Sequence, residues 1–357
     1  MMTTTVATPS LSGHRLYYLA SFLEAYKPGT VRVVIFGGSA VGVRQELEEL
    51  GVVPESVESS SLSSEYRRIV DCTEDRLVLL ESDLLLPEVV RLCLSRPSGR
   101  SALMLQIMRM PGWRIDGPKS MFVGVWKALA IAFLARGGVE IAYLEDRFAA
   151  TEQLSTSVAR CLSGANLSPH HEPLMQNELD RCEELRQSSN RKKKTVLLTG
   201  VIAQRKNPLL FINACETLDD FDVELVGPVD STIDEADIDF GVARLESAGR
   251  RVFRDSAFQS EDALIERISQ ASALALLHDQ NLPSALMLRS ALLGTPVVCL
   301  TSSPFADFVQ QNRLGYLAEP NAESVAKALR LAVELEVPVV PIEIDLDFAS
   351  LFASTKW

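Results

Sequence analysis

Basic residues are in short supply in this 357-residue sequence, where 35 lysines and arginines stand against 47 aspartates and glutamates. The formal net charge is −12 and the isoelectric point is near 5.0. A nucleic-acid partner requires a basic face, so we expect none. The only dense basic run, residues 191–194, precedes a predicted strand and is typical of a solvated linker end.

Metal-binding and redox-active side chains are few and scattered. The chain has only four histidines and six cysteines, and no cysteine pair has CxxC or CxxxC spacing. Most of the cysteines lie in apolar sequence, which favours reduced core thiols over disulfides or metal ligands. The histidines and acids show no ligand spacing, and His170-His171 is expected in a polar loop. We therefore expect no metal ion and no resident cofactor.

Long hydrophobic runs are also missing. The most apolar stretch, Met121–Ala135, contains Lys127 and is shorter than the ~20 residues of a transmembrane helix. It is predicted to be a buried helix, and contact with a membrane surface is the alternative. The N-terminus has no apolar segment behind a basic start, so we expect no signal peptide and a cytoplasmic protein.

The remaining composition is that of an ordinary globular protein of two domains. Hydrophobic residues make up 47% of the chain and charged residues 23%. At this length, two domains of about 150 to 200 residues are expected. Apolar, β-branched runs alternate with helix-length stretches, as in parallel sheets covered by helices on both faces. The predicted fold class is therefore α/β, with two Rossmann-like, doubly wound domains.

The predicted elements follow one another in a regular order. The predicted strands are Thr4–Ala7, Val31–Phe36, Arg76–Leu80, Ala102–Ile107, Ile141–Leu144, Thr195–Leu198, Val223–Val226, Leu274–Leu277, Pro296–Leu300 and Gly315–Leu317. The predicted helices are His14–Tyr26, Arg44–Leu50, Leu86–Leu94, Ser120–Ala135, Pro208–Leu218, Glu261–Ala271, Ser284–Leu293 and Ala322–Leu335. A polar stretch at 165–190 marks the connection between domains. We place the domains at 1–176 and 177–335, with a tail, 336–357, that packs back on the first domain or frays.

The most informative pattern is a strand-to-helix junction at residues 195–214. An apolar strand ends at Gly200, and the following loop carries Arg205 and Lys206 to Asn207-Pro208. Proline tolerates the first turn of a helix, and asparagine can accept hydrogen bonds from its free amides. Two cations beside unpaired helix N–H groups make a site for an anion such as a diphosphate.

A second strand-to-helix junction in the same half of the chain has a similar pattern. Pro283-Ser284 opens a helix after an apolar strand, and Gly294 closes it before the next buried strand. One such loop has little meaning alone. Two of them indicate a nucleotide-type ligand.

A glycine-rich turn in the first half is a weaker candidate. Gly37–Gly42 follows a predicted strand, and Glu55 and Glu58 lie near the distance expected for a ribose-binding acid. Ser39, however, occupies a position where glycine normally lets the backbone approach a pyrophosphate. The pattern favours a tight turn with no ligand, and a nicotinamide-cofactor enzyme remains an alternative.

The second half resembles the retaining glycosyltransferases of the GT-B fold, of the large family 4 type. The similar motifs are LTGVIAQRKNPLLFINA at 198–214, ALLGTPVV at 291–298 and LGYLAEPNAESVAKAL at 314–329. Their order and spacing match over about residues 177–332. In the first half the resemblance rests on SLSGHRLYYL at 10–19 and on the alternation of elements.

The resemblance implies two domains facing a cleft, a nucleotide-sugar donor and an unidentified acceptor. Lys206, helped by Arg205, would neutralise the donor diphosphate in the transition state. The amides of Ser284 and Ala285 would bind the same group, with Gly200 nearby. On the acceptor side, Gly13 and His14 would face the cleft.

Several positions depart from the family pattern. The family usually has two glutamates eight residues apart, where this chain has Asn281 and Arg289; Asp279 lies two residues before the first. Arg289 accepts no hydrogen bond and would instead pair with a phosphate or an acidic acceptor. Arg109 stands where the family often has histidine.

Two functions therefore stay open. The first is a glycosyltransferase of the hexosyltransferase type with an unusual donor pocket. The second is a non-catalytic homologue that binds a nucleotide sugar, a glycan or a protein partner.

Overall fold

The computed structural model of the chain describes residues 3–8, 18–20, 22–23, 30–36, 55–57, 76–80, 82–95, 103–108, 118–144, 167–170, 176–188, 194–278, 284–303 and 305–340. These residues fall into two compact units. The first unit contains the described residues up to 170, and the second contains those from 176 to 340. The predicted tail lies mostly outside the described residues, so its position stays a prediction.

The first unit is built on a seven-stranded sheet whose neighbouring strands are all parallel. The strands are β1 (Thr3–Thr8), β2 (Thr30–Phe36), β3 (Glu55–Val57), β4 (Arg76–Leu79), β5 (Leu103–Ile107), β6 (Glu140–Leu144) and β7 (Leu167–His170). Their order across the sheet is β3-β2-β1-β4-β5-β6-β7. β4 and β5 are buried at every position because both faces of a parallel sheet are covered.

Helices cover both faces of this sheet. On one face lie α1 (Leu86–Ser95) and the second half of α2 (Pro118–Arg136), which share a core with Leu79 and Leu105. On the other face, the helical residues 18–20 and 22–23 pack against Val6 and Val78. Successive strand residues thus enter different cores, as the two-residue period of a strand requires.

The second unit repeats this plan with six parallel strands. They are β8 (Thr195–Thr199), β9 (Asp222–Val226), β10 (Arg251–Asp255), β11 (Ala273–Leu276), β12 (Val297–Leu300) and β13 (Gly315–Ala318). Their order is β10-β9-β8-β11-β12-β13. Together with the first sheet, this order confirms the predicted α/β class with two doubly wound, Rossmann-like units.

The helices of the second unit begin and end where local chemistry favours it. They are α3 (Gln176–Ser188), α4 (Pro208–Cys215), α5 (Glu235–Ser247), α6 (Glu261–Gln270), α7 (Ala285–Leu293), α8 (Ala306–Gln311) and α9 (Ala322–Val333). Asp234, Ser260 and Asn321 accept hydrogen bonds from first-turn amides of α5, α6 and α9. Gly294, at a φ of 64°, ends α7 in the left-handed conformation that glycine adopts without strain.

Each predicted strand is present, to within one residue at either end. The structure has three further strands, β3, β7 and β10, that the sequence patterns did not predict. β10, with the sequence RVFRD, is a half-exposed edge strand whose charges hide its apolar alternation. β7 contains Pro169, which a sheet tolerates at its edge. The prediction that His170 lies in a polar loop is wrong, because His170 ends β7 and is buried. His171 lies outside the described residues.

The sequence patterns also did not predict the polar helices α3 and α5. The stretch interpreted as a connection contains β7 and α3, and α3 packs against α6 and α7. In α5 only Ile238, Gly241 and Leu245 are buried, so the apolar stripe is too thin to be seen in the sequence. Predicted helix Arg44–Leu50 lies outside the described residues, as does most of His14–Tyr26.

Helix α2 differs from its prediction as a buried helix. Its second half is buried around Ile131 and Leu134, but large apolar side chains of its first half, including Phe122 and Trp126, are exposed. Among the described residues, no helix is both long and apolar enough to span a bilayer.

Candidate functional site

The strand order of the second unit fixes where a ligand can bind. Connections from β8 run to one side of the sheet through β9 and β10, and those from β11 run to the other through β12 and β13. The chain therefore diverges between β8 and β11, leaving a crevice beyond their carboxyl ends. Doubly wound sheets bind their ligands at this switch point. The loops after β8 and β11 carry the residues singled out from the sequence.

The loop after β8 is held in place by the neighbouring loop after β9. Ile202 donates its N–H to the carbonyl of Pro228 at 2.8 Å and accepts from the N–H of Asp230 at 2.9 Å. A 3-10 turn over Gln204–Lys206 follows, in which the Lys206 N–H donates to Ala203 at 2.9 Å. The two basic side chains are thus presented by a braced turn.

Asn207 joins this loop to β11 across the switch point. Its predicted role as a cap for the amides of α4 is wrong, because its backbone is left-handed (φ 50°, ψ 50°) and no side-chain cap bond forms. Its amide group instead donates to the carbonyl of Leu277 at 2.8 Å. Pro208 does occupy the first turn of α4, as predicted.

Lys206 is a buried cation at the end of β8. The side chain is only 4% exposed, and its Nζ donates to the carbonyl oxygen of Thr199 at 2.7 Å. Burial, and to a lesser degree the positive charge of Arg205, lower the pKa of Lys206 to about 7. At neutral pH this lysine therefore exchanges readily between its charged and neutral forms, and a nearby anion would favour the charged one.

His278 follows the end of β11 and lies near Lys206 and Arg205. It is 6% exposed, and its ring packs edge-on against Phe305 with 6.1 Å between centroids. Burial lowers the pKa of His278 well below 6.5, and the charges of Lys206 and Arg205 lower it further. A neutral imidazole therefore lies beside two basic residues. Sequence reasoning missed it, although a polar residue directly after the apolar run at 273–277 was a usable signal.

The start of α7 lies close to Gly200 and Lys206. A Cβ atom built on Gly200 (φ +76°) would be 2.8 Å from Lys206 Nζ and 3.7 Å from Leu286 Cδ1. Leu286 lies in the first turn of α7, next to the predicted diphosphate ligands Ser284 and Ala285. Four of the predicted donor residues, Gly200, Lys206, Ser284 and Ala285, thus belong to adjoining segments. Their contact with a donor stays a prediction.

Arg289 has a different setting in the structure. It is 5% exposed, its Nε donates to Glu178 Oε1 of α3 at 2.7 Å, and its Nη2 lies 2.5 Å from Glu261 Oε2 of α6. Burial raises the pKa of Glu178, against the opposing charge and hydrogen bond of Arg289. The guanidinium therefore holds three helices together. A phosphate or acidic acceptor would compete with two internal carboxylates for it.

The first unit also has polar side chains where its strands end. Asp83, which follows β4, accepts from the Met108 N–H at 2.7 Å and pairs with Lys127 of α2. Farther along the same edge, Gln106 Nε2 lies 3.4 Å from Nε2 of the buried His170. The switch point of this sheet falls between β1 and β4, and Asp83 follows the second of these strands.

The other predicted site residues lie outside the described residues. They are Gly13, His14 and Arg109 of the acceptor side and Asp279 and Asn281 of the donor side. The glycine-rich turn Gly37–Gly42 with Ser39, and Glu58, are also outside. Their roles stay predictions.

The described thiols lie in the core of the protein. Cys93, Cys182, Cys215 and Cys299 are buried, as expected for core thiols. Burial raises the pKa of Cys182 and of Cys299 to about 12, so neither is a thiolate near neutral pH. Within the described ranges, no group of three or more histidine, cysteine or acidic side chains is arranged to hold a metal ion.

Known proteins resemble this chain in structure and not in sequence. No protein-family model matches it, and no curated protein matches its sequence. HepE from Anabaena, solved in complex with UDP-glucose, aligns with a TM-score of 0.65 at 16% identity, over 99% of this chain and 100% of HepE. A UDP-forming α,α-trehalose-phosphate synthase from Burkholderia xenovorans aligns with a TM-score of 0.63 at 11% identity, over 99% and 94%.

A glycosyltransferase from Rickettsia africae is a third such structure. It aligns with a TM-score of 0.62 at 12% identity, over 99% of this chain and 92% of its own. These likenesses extend over the whole chain and are shared by both Rossmann-like units. The chain therefore shares the GT-B fold of these structures, which confirms the fold that its motifs indicated.

Proposed function

We propose that this chain is a glycosyltransferase that moves a sugar from a nucleotide-sugar donor to an acceptor. The buried Lys206 at the β8–β11 switch point carries the proposal. The fold supports it, as do the UDP and UDP-glucose bound to HepE in its solved structures. The acceptor and the donor sugar stay open, and retention of the anomeric configuration is inferred from the sequence resemblance alone.

The chemistry requires positive charge where the sugar leaves. The bond between the anomeric carbon and the donor phosphate oxygen breaks, and its electron pair stays on the diphosphate. The acceptor oxygen bonds to the anomeric carbon, and its proton passes to an oxygen of the departing diphosphate. A cation beside the departing diphosphate stabilises this charge more in the transition state than in the ground state. Lys206, with Arg205 and the first turn of α7, would supply it. This arrangement requires no metal ion.

Ligand binding provides the first test. A ligand that binds only the native state raises the unfolding temperature by mass action, so thermal shifts with UDP, UDP-glucose, other nucleotide sugars, NAD and NADP identify the ligand class. We expect shifts with nucleoside diphosphates and their sugars, and loss of the shift in Lys206→Ala. Lys327→Ala, which removes an exposed lysine of α9, is the matched control and should keep the shift. Stabilisation by NAD or NADP alone would overturn the proposal.

Turnover separates the enzyme from a non-catalytic homologue. That second candidate is favoured by Asn281 and Arg289, which stand where the family has glutamates, and by the internal pairing of Arg289. An active transferase releases nucleotide from the bound donor when an acceptor mixture is added, and the release is lost in Lys206→Ala. Donor binding with no release for any acceptor mixture supports the binding protein instead.

A further inference from the structure

The imidazole of His278 is buried without a hydrogen-bond partner. The residue is 6% exposed, and its ring packs edge-on against Phe305 with 6.1 Å between centroids. Within the described ranges, neither ring nitrogen of His278 makes a hydrogen bond. Burying a polar group without a partner costs free energy, and native proteins satisfy nearly all such groups. Both ring nitrogens are therefore available to a ligand.

The backbone places His278 beside the buried Lys206. Leu277, which precedes the histidine, accepts a hydrogen bond at 2.8 Å from the side chain of Asn207, which follows the lysine. Lys206 Nζ in turn donates to the carbonyl of Thr199, the last residue of β8. β8 and β11 are adjacent parallel strands, so both residues lie at one edge of the sheet, at its switch point.

His278 contributes a neutral group to a positively charged site. Burial, then the charges of Lys206 and Arg205, lower the pKa of His278 well below 6.5. Near neutral pH the ring therefore has one N–H donor and one acceptor nitrogen. A third cation at this point would be repelled by the other two. A neutral N–H group can donate to an anion held by Lys206 and Arg205 without adding to that repulsion.

We propose that His278 donates a hydrogen bond to the diphosphate of the bound nucleotide-sugar donor. This inference rests on the proposed function, which supplies the diphosphate. The two neighbouring cations attract the anionic part of the donor to this point, and ionised phosphate oxygens accept hydrogen bonds, which the N–H of the ring can donate. The bond would strengthen as the sugar leaves, because negative charge then grows on the diphosphate. His278 is thus assigned to contact with the donor itself.

Amide variants test the contact in the full chain. His278→Gln places an amide N–H near the position of Nε2, and His278→Asn places one near Nδ1, whereas His278→Leu has no donor. UDP and inorganic pyrophosphate are titrated into each variant at pH 7 by calorimetry. We expect His278→Leu to bind both ligands about tenfold more weakly, and one of the two amide variants to stay within about threefold of the parent.

A control variant and an NMR measurement separate the contact from packing. Phe305→Leu alters the packing of the ring and keeps both nitrogens, so it should bind both ligands within about threefold of the parent. The chain has four histidines, so the ring nitrogen-15 signals of His278 can be assigned by their loss in His278→Gln. Saturating UDP should shift one of these signals and slow the exchange of its proton with water.

The outcomes distinguish this inference from the proposed function. UDP affinity in His278→Leu equal to that of the parent, or His278 signals that UDP leaves unchanged, overturns the contact while the proposed function stands. A loss for UDP with none for pyrophosphate also overturns it, because the histidine would then contact the nucleoside. Failure of the parent chain to bind either UDP or pyrophosphate would instead overturn the proposed function.

Discussion

The ammonium nitrogen of Lys206 lies so close to Gly200 that a Cβ atom at position 200 would be 2.8 Å from it. The glycine lets the lysine fold back over the end of β8 and donate to the carbonyl of Thr199. Gly200 also has a φ of +76°, which other residues adopt with strain. The backbone at position 200 and the charge at position 206 are therefore one structural unit.

Replacing Gly200 by alanine should weaken nucleotide binding as well as stability. The positive φ costs about 1–2 kcal/mol, and the new methyl group displaces Lys206 Nζ. Gly249→Ala is the matched control, because its φ of +79° is similar but nothing lies within 4 Å of its Cβ position. Both variants should unfold at lower temperature, and Gly200→Ala alone should bind UDP about tenfold more weakly by calorimetry. Equal UDP affinity in the two variants would contradict the contact.

Removal of the Lys206 charge should stabilise the protein in a pH-dependent way. The folded-state pKa of about 7 is below the ordinary value of 10.5, so the unfolded chain binds the extra proton between these pH values. Stability therefore rises with pH across this window, and the full cost of the buried charge is present below about pH 7. Lys206→Met should increase the free energy of unfolding near neutral pH by a few kcal/mol, less the loss of its bond to Thr199.

Chemical denaturation at a series of pH values measures this effect. The difference between Lys206→Met and the parent should shrink as pH rises from about 7 towards 10.5. The same substitution at the exposed Lys327 of α9 is the matched control. A flat profile for Lys206→Met would mean that the lysine keeps its ordinary pKa in the folded state.

UDP binding should be coupled to proton uptake by Lys206. The diphosphate favours the charged lysine, so UDP affinity should fall by up to about tenfold per pH unit above pH 7. The terminal phosphate of UDP is mostly in its doubly charged form there, since the second pKa of a phosphoryl group is about 6. Calorimetry in pairs of buffers with different ionisation heats gives the number of protons taken up. Lys206→Arg should remove the uptake, because arginine is already protonated; unchanged uptake in that variant would exclude Lys206 as its source.

Sequence patterns predicted the fold well because most of it is set by buried parallel strands. Thr195–Thr199 is buried along its whole length and has a continuous apolar centre, as a strand covered on both faces requires. The patterns failed where an element lies at the edge or surface. In β10 the charged Arg251, Arg254 and Asp255 are compatible with the structure only because this strand pairs on one side.

The sequence predicted the residues of the candidate site less completely than it predicted the fold. Arg205 and Lys206 could be identified from the sequence because two cations at a strand-to-helix junction indicate an anion site by themselves. The pairing of Arg289 with Glu178 could not, because it joins residues far apart in the chain. His278 follows an apolar run, which is a local signal, but its proximity to Lys206 depends on the folded sheet. The sequence also did not predict that Lys206 is buried, because burial depends on the packing of distant residues around the side chain. The lowered pKa of Lys206 follows from that burial.

Arg289→Met should separate structural from ligand-binding roles of this residue. Loss of the guanidinium leaves Glu178 buried without its partner, which should destabilise the protein by about 3–5 kcal/mol. Adding Glu178→Gln should restore part of this stability because the uncompensated charge is removed. If Arg289 only holds α3, α6 and α7 together, UDP affinity measured well below the unfolding temperature should stay within about threefold of the parent. A larger loss would place Arg289 in the donor site.

His278 should make the protein sensitive to acid. Its folded-state pKa is well below 6.5, so in the window between them the unfolded chain binds a proton that the folded chain does not. Stability from the neutral imidazole is therefore present above pH 6.5 and is lost as pH falls below it. His278→Leu should flatten the decline of the free energy of unfolding in this acidic range. Phe305→Leu disturbs the same packing without a titrating group and should lower stability by a similar amount at every pH; an equal flattening in that variant would mean that packing, and not the imidazole, sets the response.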